Sequence, residues 1–285
     1  PDAPKGGTLR LSYEGGFDSL NPFIARGDPA YRLELTYDTL MVNSEDEPFS
    51  TYGLVAESVE LSADRRSVTY NLRPEARWHD GRPVTAGDAA FSMTVLKEKG
   101  APRYRFYYKD VDRSEILGPR RIRFHLASAQ NRELPLIVGQ LPVLPKHYWE
   151  TRDFGATTVE PPLGGGAYRI RSVEPNRFVL YERVTNYWAR DLNVKAGMDN
   201  FDFIRMDYYR DSVVELEAFK AGAVDWMLEM SAKNWATSYD TPEARAGLMV
   251  RENLPNHRTA GMQGIAFNTS RPVFRDRRVR QAFSL

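Results

Sequence analysis

The chain has 285 residues, with 39 Lys and Arg against 38 Asp and Glu, a formal net charge of +1. Hydrophobic residues at 42% and charged residues at 27% exclude a disordered chain, and near-neutrality leaves no whole-chain field to draw nucleic acid or an anionic membrane. Cysteine is absent, which excludes disulfides, thiolate nucleophiles and cysteine metal sites together.

At roughly 150 residues per domain the length predicts two domains or one large split one. The chain begins at Pro1 without a basic-then-apolar leader, as expected of an exported protein whose leader has been removed. Leu9, Leu11 and Tyr13 alternate with polar residues and predict an opening strand. Glu14 to Pro22, rich in Gly, Asp and Asn-Pro, predicts a glycine-rich loop after it. Val68, Tyr70 and Leu72 read as a strand, and Trp78 to Pro83 as a turn. Thr85 with Asp88 three residues on predicts a helix N-cap, Phe91, Val95 and Leu96 its spacing, and Gly100 its end. Ile122, Phe124 and Leu126 predict another strand.

The most apolar stretch, Leu134 to Pro145, carries three prolines and Gln140 and is too short to span a bilayer. Gly164, Gly165 and Gly166 read as a tight turn between domains; no Lys-Ser/Thr follows them, as a phosphate loop would require. Residues 168–170 and 178–181 predict a hairpin turning at Pro175-Asn176, and residues 203–208 a further strand. Ser212 with Glu215 predicts a capped helix with Val213, Leu216 and Phe219 on one face. Val224 to Leu228 predicts a buried strand that completes a βαβ unit. Residues 264–268 read as a short strand, and Asp276 as the cap of a helix carrying Val279, Ala282 and Phe283. The chain stops at Leu285 inside that pattern, as a fragment of a longer protein would.

No catalytic residue is expected. His79, His125, His147 and His257 lie far apart, without the i, i+3 or i, i+4 spacing of metal hydrolases, and no Gly-x-Ser-x-Gly elbow appears. The acids Glu57, Glu60 and Asp64, and Asp207, Asp211, Glu215 and Glu217, fall where carboxylates serve caps and solvation. Aromatic residues reach 12%; Tyr13, Phe17, Tyr104, Phe106, Tyr107, Tyr108, Tyr148, Trp149, Tyr187 and Trp188 fall in loop-like contexts, where they serve as ligand walls or as core.

The run from Leu54 to Asp64, then Val68 to Arg73, then Trp78-His79-Asp80-Gly81-Arg82-Pro83-Val84-Thr85-Ala86-Gly87-Asp88-Ala89-Ala90-Phe91-Ser92 resembles the signature of the extracellular solute-binding proteins of family 5, the oligopeptide, dipeptide and nickel receptors of ABC importers. Gly6 to Arg10, Asp18 to Pro22, Leu163 to Ile170, Asn186-Tyr187-Trp188, Ala218 to Asp225 and Phe267 to Ala282 extend the resemblance. Val42 to Pro48, Tyr209 to Ser212 and Trp235 to Asp240 are similar to the Yej-type receptors within it.

The resemblance implies an α/β, class II periplasmic-binding-protein fold, two lobes with a hinge, truncated after the start of the second lobe. Residues 1–45 and 165–265 would form domain I, 46–164 an α+β insertion as domain II, and 266–285 the start of domain III. It implies a periplasmic receptor, a monomer that neither spans the membrane nor binds nucleic acid. Its ligand would be a peptide or peptide-like compound, passed to an inner-membrane ABC permease, with no cofactor and no metal. Oligosaccharide or metal-chelate binding on the same fold, and peptide or glycan hydrolysis, are the alternatives. The ligand-edging segments would be Tyr13, Glu14, Gly15, Gly16, Phe17 and Asp18, with the strand entry at Met262, Gln263 and Gly264.

Overall fold

The structure is a computed structural model and describes residues 3–44, 47, 49–255 and 264–283. It divides into two compact units, one holding the described residues of Pro1–Ser44 and Phe49–Leu254, the other those of Glu45–Pro48 and Pro255–Leu285.

In the first unit β1 (Thr8–Glu14) leads through a 3-10 turn at Leu33–Thr36 to the hairpin β2 (Met41–Asn43) and β3 (Thr51–Gly53). The strands β4 (Ala56–Leu61), β5 (Ser67–Leu72), β6 (Val111–Gly118) and β7 (Arg121–Leu126) form an antiparallel sheet of order β4-β5-β7-β6. Between β5 and β6 lie the helices α1 (Ala86–Lys99) and α2 (Pro102–Tyr107), and after β7 come α3 (Leu134–Gly139) and α4 (Lys146–Trp149).

The start of α1 shows why this block was readable. Thr85 Oγ1 accepts from Asp88 N, and Asp88 Oδ2 accepts from Thr85 N at 2.8 Å, so each side chain satisfies the other residue's backbone donor. Asp88 Oδ1 also accepts from Lys146 N at 2.9 Å, and Ser92 Oγ accepts from Leu144 N at 2.8 Å. The cap therefore fastens the segment leading into α4. Ala89, Met93 and Leu96 share one buried cluster with Tyr70, Ile122 and Phe124 of the sheet.

The central sheet has the order β1-β10-β9-β8, from β8 (Tyr168–Glu174), β9 (Phe178–Arg183) and β10 (Phe203–Tyr209). β1 pairs parallel with β10, from Thr8 opposite Phe203 to Glu14 opposite Tyr209. The predicted β8–β9 hairpin is present, and Asn176 supplies its left-handed turn position at φ 60°. After β10 come α5 (Ser212–Lys220), α6 (Ala232–Thr237) and α7 (Pro242–Arg245).

Two expectations fail here. The cap of α5 is Asp211, whose side chain accepts from Val214 N at 3.0 Å; Ser212 is already the first helical residue, and only Leu216 of the expected face is buried. Val224 to Leu228 is no buried strand: it makes one isolated parallel bridge, Trp226 to Leu11, and only Val224 is buried. Its polar anchor is instead Asp225, whose N donates to Arg10 O and whose carboxylate accepts from Arg10 N at 2.7 Å.

Gly164 to Gly166 do more than turn. Gly165 N and Gly166 N both donate to Thr36 O, and a Cβ on Gly164 would lie 2.1 Å from that oxygen. One on Gly165 would meet the Trp78 ring at 2.9 Å. The glycines thus let two backbone crossings between the sheets lie against each other.

In the second unit residues 264–268 are irregular chain, not a strand. Phe267 packs on Phe274 and Phe283, the helices α8 (Pro272–Arg275) and α9 (Arg277–Ala282) follow, and Asp276 caps α9 as expected.

Candidate ligand-binding site

β1 leaves the central sheet at Glu14, where Gly15 N donates to Tyr209 O at 2.8 Å. Gly15 has φ 110°, a conformation that favours glycine, and a Cβ on Gly16 would lie 2.4 Å from Asn176 Oδ1. That oxygen accepts from Phe17 N at 2.9 Å, so the β8–β9 turn presses directly on the loop. Phe17 is only 2% exposed and packs on Tyr208 with ring centres 4.7 Å apart. Asp18 Oδ1 accepts from Asp28 N at 2.7 Å, closing the loop on itself. Of the predicted loop residues, Phe17 and Asp18 are therefore anchors, while Tyr13, Glu14, Gly15 and Gly16 face solvent.

Tyr13 stacks on Tyr31 with centroids 4.6 Å apart and planes 25° apart, each ring 41% exposed. The backbone of Tyr31 is held on both sides: its N donates to Tyr208 Oη at 2.7 Å, and its O accepts from Tyr181 Oη at 2.6 Å. Burial pushes the Tyr208 hydroxyl up to about 12 and Tyr181 higher still, so both stay neutral: Tyr181 keeps the proton it donates, and Tyr208 accepts as a hydroxyl. Arg32, at φ 69°, carries its guanidinium 5.1 Å from the Tyr31 ring centre. Sequence reading missed Tyr31 and Arg32; the Ala-Tyr-Arg run has no periodicity, and its role depends on β9 and β10.

Helix α2 is tied to the end of the same loop. Ala101 N donates to Phe23 O at 2.7 Å and the Arg103 guanidinium to Pro22 O at 3.2 Å, which docks this helix on the segment leaving the glycine loop. Phe106 and Tyr107 are exposed on it, while Tyr108, Trp149 and Tyr187 are core. The aromatic list thus splits between surface and core.

The histidines pair off separately. His79 Nε2 meets Gly166 O at 2.8 Å and burial lowers its pKa; His125 meets Glu115 at 2.6 Å and His147 meets Asp80 at 2.9 Å. His257 lies outside the described residues. Among those residues no group of three His, Asp or Glu is placed to hold a metal ion. The buried acid that sequence reading missed is Asp38, which accepts from Tyr187 Oη at 2.7 Å and Trp188 Nε1 at 3.1 Å, and whose pKa burial raises to about 6. Met262 and Gln263 lie outside the described residues; Gly264 is exposed irregular chain in the second unit.

A mixed sheet whose first strand opens into a glycine loop, with an antiparallel sheet inserted along the chain, is an α/β fold shared with solved periplasmic binding proteins. Over 84% of this chain and 50% of the other, the structure superposes with TM-score 0.67 and 18% identity on the ABC transporter-associated periplasmic binding protein DppA from Helicobacter pylori, solved in complex with peptide STSA. The bacterial extracellular solute-binding proteins, family 5 (middle region), match residues 50–285, and the chain belongs to this family. It is 44% identical, over 99% of its length and 47% of the relative's, to a probable peptide-binding protein YejA of Agrobacterium fabrum. It is 45% identical, over 100% of its length and 44% of the relative's, to the uncharacterized protein y4wM of Sinorhizobium fredii. The chain thus spans about half the length of the curated relatives it matches. No helix among the described residues is long and apolar enough to cross a membrane.

Proposed function

We propose that this chain is the first part of an exported, periplasmic receptor that captures peptides or peptide-like compounds and hands them to an inner-membrane ABC permease, without making or breaking a bond. The observation that carries the reading is the exposed Tyr13–Tyr31 stack beside the exposed glycine loop, Glu14 to Gly16, at the end of β1. An extended ligand can take backbone hydrogen bonds there and lay a side chain on the aromatic pair. Family membership and a relative named as peptide-binding support the ligand class.

On this reading residues 1–45 and 165–265 belong to one domain, 46–164 are its insertion and 266–285 begin the next, with Met262, Gln263 and Gly264 as a second edge of the site. The receptor is a monomer that closes over its ligand. Calorimetric titration of the intact protein with a peptide mixture, manno-oligosaccharides and nickel–histidine tests it. Saturable peptide binding that Tyr13→Ala weakens by about tenfold supports the proposal. Binding of the sugar or the chelate alone, or hydrolysis of the peptide, overturns it.

A further inference from the structure

The end of α1, the turn after it and α2 carry a surface that the peptide site does not use. Between Lys97 and Asp112 five cations, Lys97, Lys99, Arg103, Arg105 and Lys109, stand against three carboxylates, Glu98, Asp110 and Asp112, and from Lys99 to Lys109 there is no acid at all. The next charges along β6, Arg113 and Glu115 at 3.8 Å, offset each other and leave that surplus in place.

The partners of these cations are carbonyls and rings. Lys97 Nζ donates to Val111 O, which ties α1 to β6. Arg103 donates to Pro22 O, and its guanidinium lies 4.9 Å from the Tyr104 ring centre. Arg105 Nε reaches Lys97 O at 3.4 Å, and Lys109 Nζ stands 5.1 Å from the Phe106 ring centre. Lys99, Arg103, Arg105 and Lys109 are all exposed. The aromatic residues divide by face. Tyr104 and Tyr108, four apart with ring centres 6.3 Å from each other, pack inward on the cluster that holds Phe23, whereas Phe106 and Tyr107 are 66% and 51% exposed.

The inward tyrosines already dock α2, so the fold does not require an apolar ring at Phe106. An acidic protein surface would answer the cations and leave that ring in a polar setting. An anionic bilayer answers both, because its headgroups take Lys and Arg while Phe and Tyr settle at the boundary with the acyl chains. We propose that this face rests on an anionic lipid bilayer, with Phe106 and Tyr107 entering the headgroup layer and Lys99, Arg103, Arg105 and Lys109 lying among the lipid phosphates. Each cation contributes about fivefold to such binding, so the contact is reversible, and it is independent of which ligand the receptor takes.

The test is flotation of the intact protein with vesicles of phosphatidylglycerol and phosphatidylcholine in equal parts, against vesicles of phosphatidylcholine alone, in low and in high sodium chloride. The expected result is binding to the anionic vesicles alone, weakened at high salt by screening. Lys99→Gln, Arg105→Gln and Lys109→Gln together should reduce it about a hundredfold, roughly fivefold for each charge, and Phe106→Ser several-fold. Melting temperature and peptide affinity stay unchanged in both variants. If the triple variant does not fold, Phe106→Ser decides alone. No binding to anionic vesicles at low salt, equal binding to both kinds, or binding that survives unchanged in the folded variants overturns the proposal. Binding of polyglutamate without binding of vesicles also overturns it and makes the partner an acidic protein.

Discussion

The inserted sheet and the central sheet are built from similar numbers of strands but close in opposite ways. β4 to β7 pair with sequence neighbours or near neighbours, α1 covers them, and Val68, Tyr70, Leu72, Ile122 and Phe124 are completely or almost completely buried. The central sheet joins β1 to strands from far along the chain, and along its outer edge Asp225 bonds to Arg10 and Trp226 bridges to Leu11. Beyond it Leu228 and Met230 remain 65% and 75% exposed. The central sheet has a core of its own, with Tyr168, Val179, Tyr181 and Met206 almost fully buried, but it keeps exposed apolar chain beyond its β1 edge. Exposed chain of that kind contributes little to holding the unit together.

The largest effect that would test this contrast is Asp88→Ala. It removes the helix cap and leaves the part-buried N–H of Lys146 without its acceptor, and should cost about 3 to 4 kcal/mol in urea denaturation. Gly164→Ala forces a methyl group to within 2.1 Å of Thr36 O and should cost about 3 kcal/mol, read from the same midpoints. Asp38 gives a pH signature. Its folded pKa of about 6 lies above the ordinary 3.8, so its contribution is full at low pH and is lost as pH rises through about 6. Between pH 5 and 7 that loss is about 1 kcal/mol. The buried His79 acts the other way, contributing stability that is lost as pH falls, so the comparison is with Asp38→Asn, which lacks only the first slope. Equal pH slopes in the two proteins would remove Asp38 from the account. The smallest effect belongs to the edge: Leu228→Ser should change stability by less than about 0.5 kcal/mol. A loss comparable to that of Asp88→Ala would break the contrast.

What was legible in the sequence was local. The α1 cap, the hairpin around Asn176 and the turn at Gly15 are decided by residues within a few positions of one another. β6 escaped because bulges at Val111/Arg113 and Ile116/Gly118 interrupt its alternation, leaving Ile116 and Leu117 exposed on a strand. α3 escaped because its apolar run, Leu134 to Gly139, has a Pro near its start and buried positions without a clear face. Val224 to Leu228 misled because an apolar run implies burial only where a covering layer exists. The site divides in the same way. Its loop could be read from Gly, Asp and Asn-Pro, but Tyr31, Arg32 and Asp38 acquire their roles from Tyr181, Tyr208, Tyr187 and Trp188, residues some 150 positions or more away along the chain.

The parallel pairing of β1 with β10 also sets an order of events at the ribosome. Gly7 and Asp202, bonded at the start of that pairing, are 195 residues apart. At about 5–20 residues per second of synthesis, β1 waits roughly 10–40 s for its partner, whereas the strands of the insertion meet theirs within roughly 3–12 s. The insertion can fold while the first strand is still an open edge, and the nascent chain carries an unpaired, sticky β1 through the synthesis of the insertion.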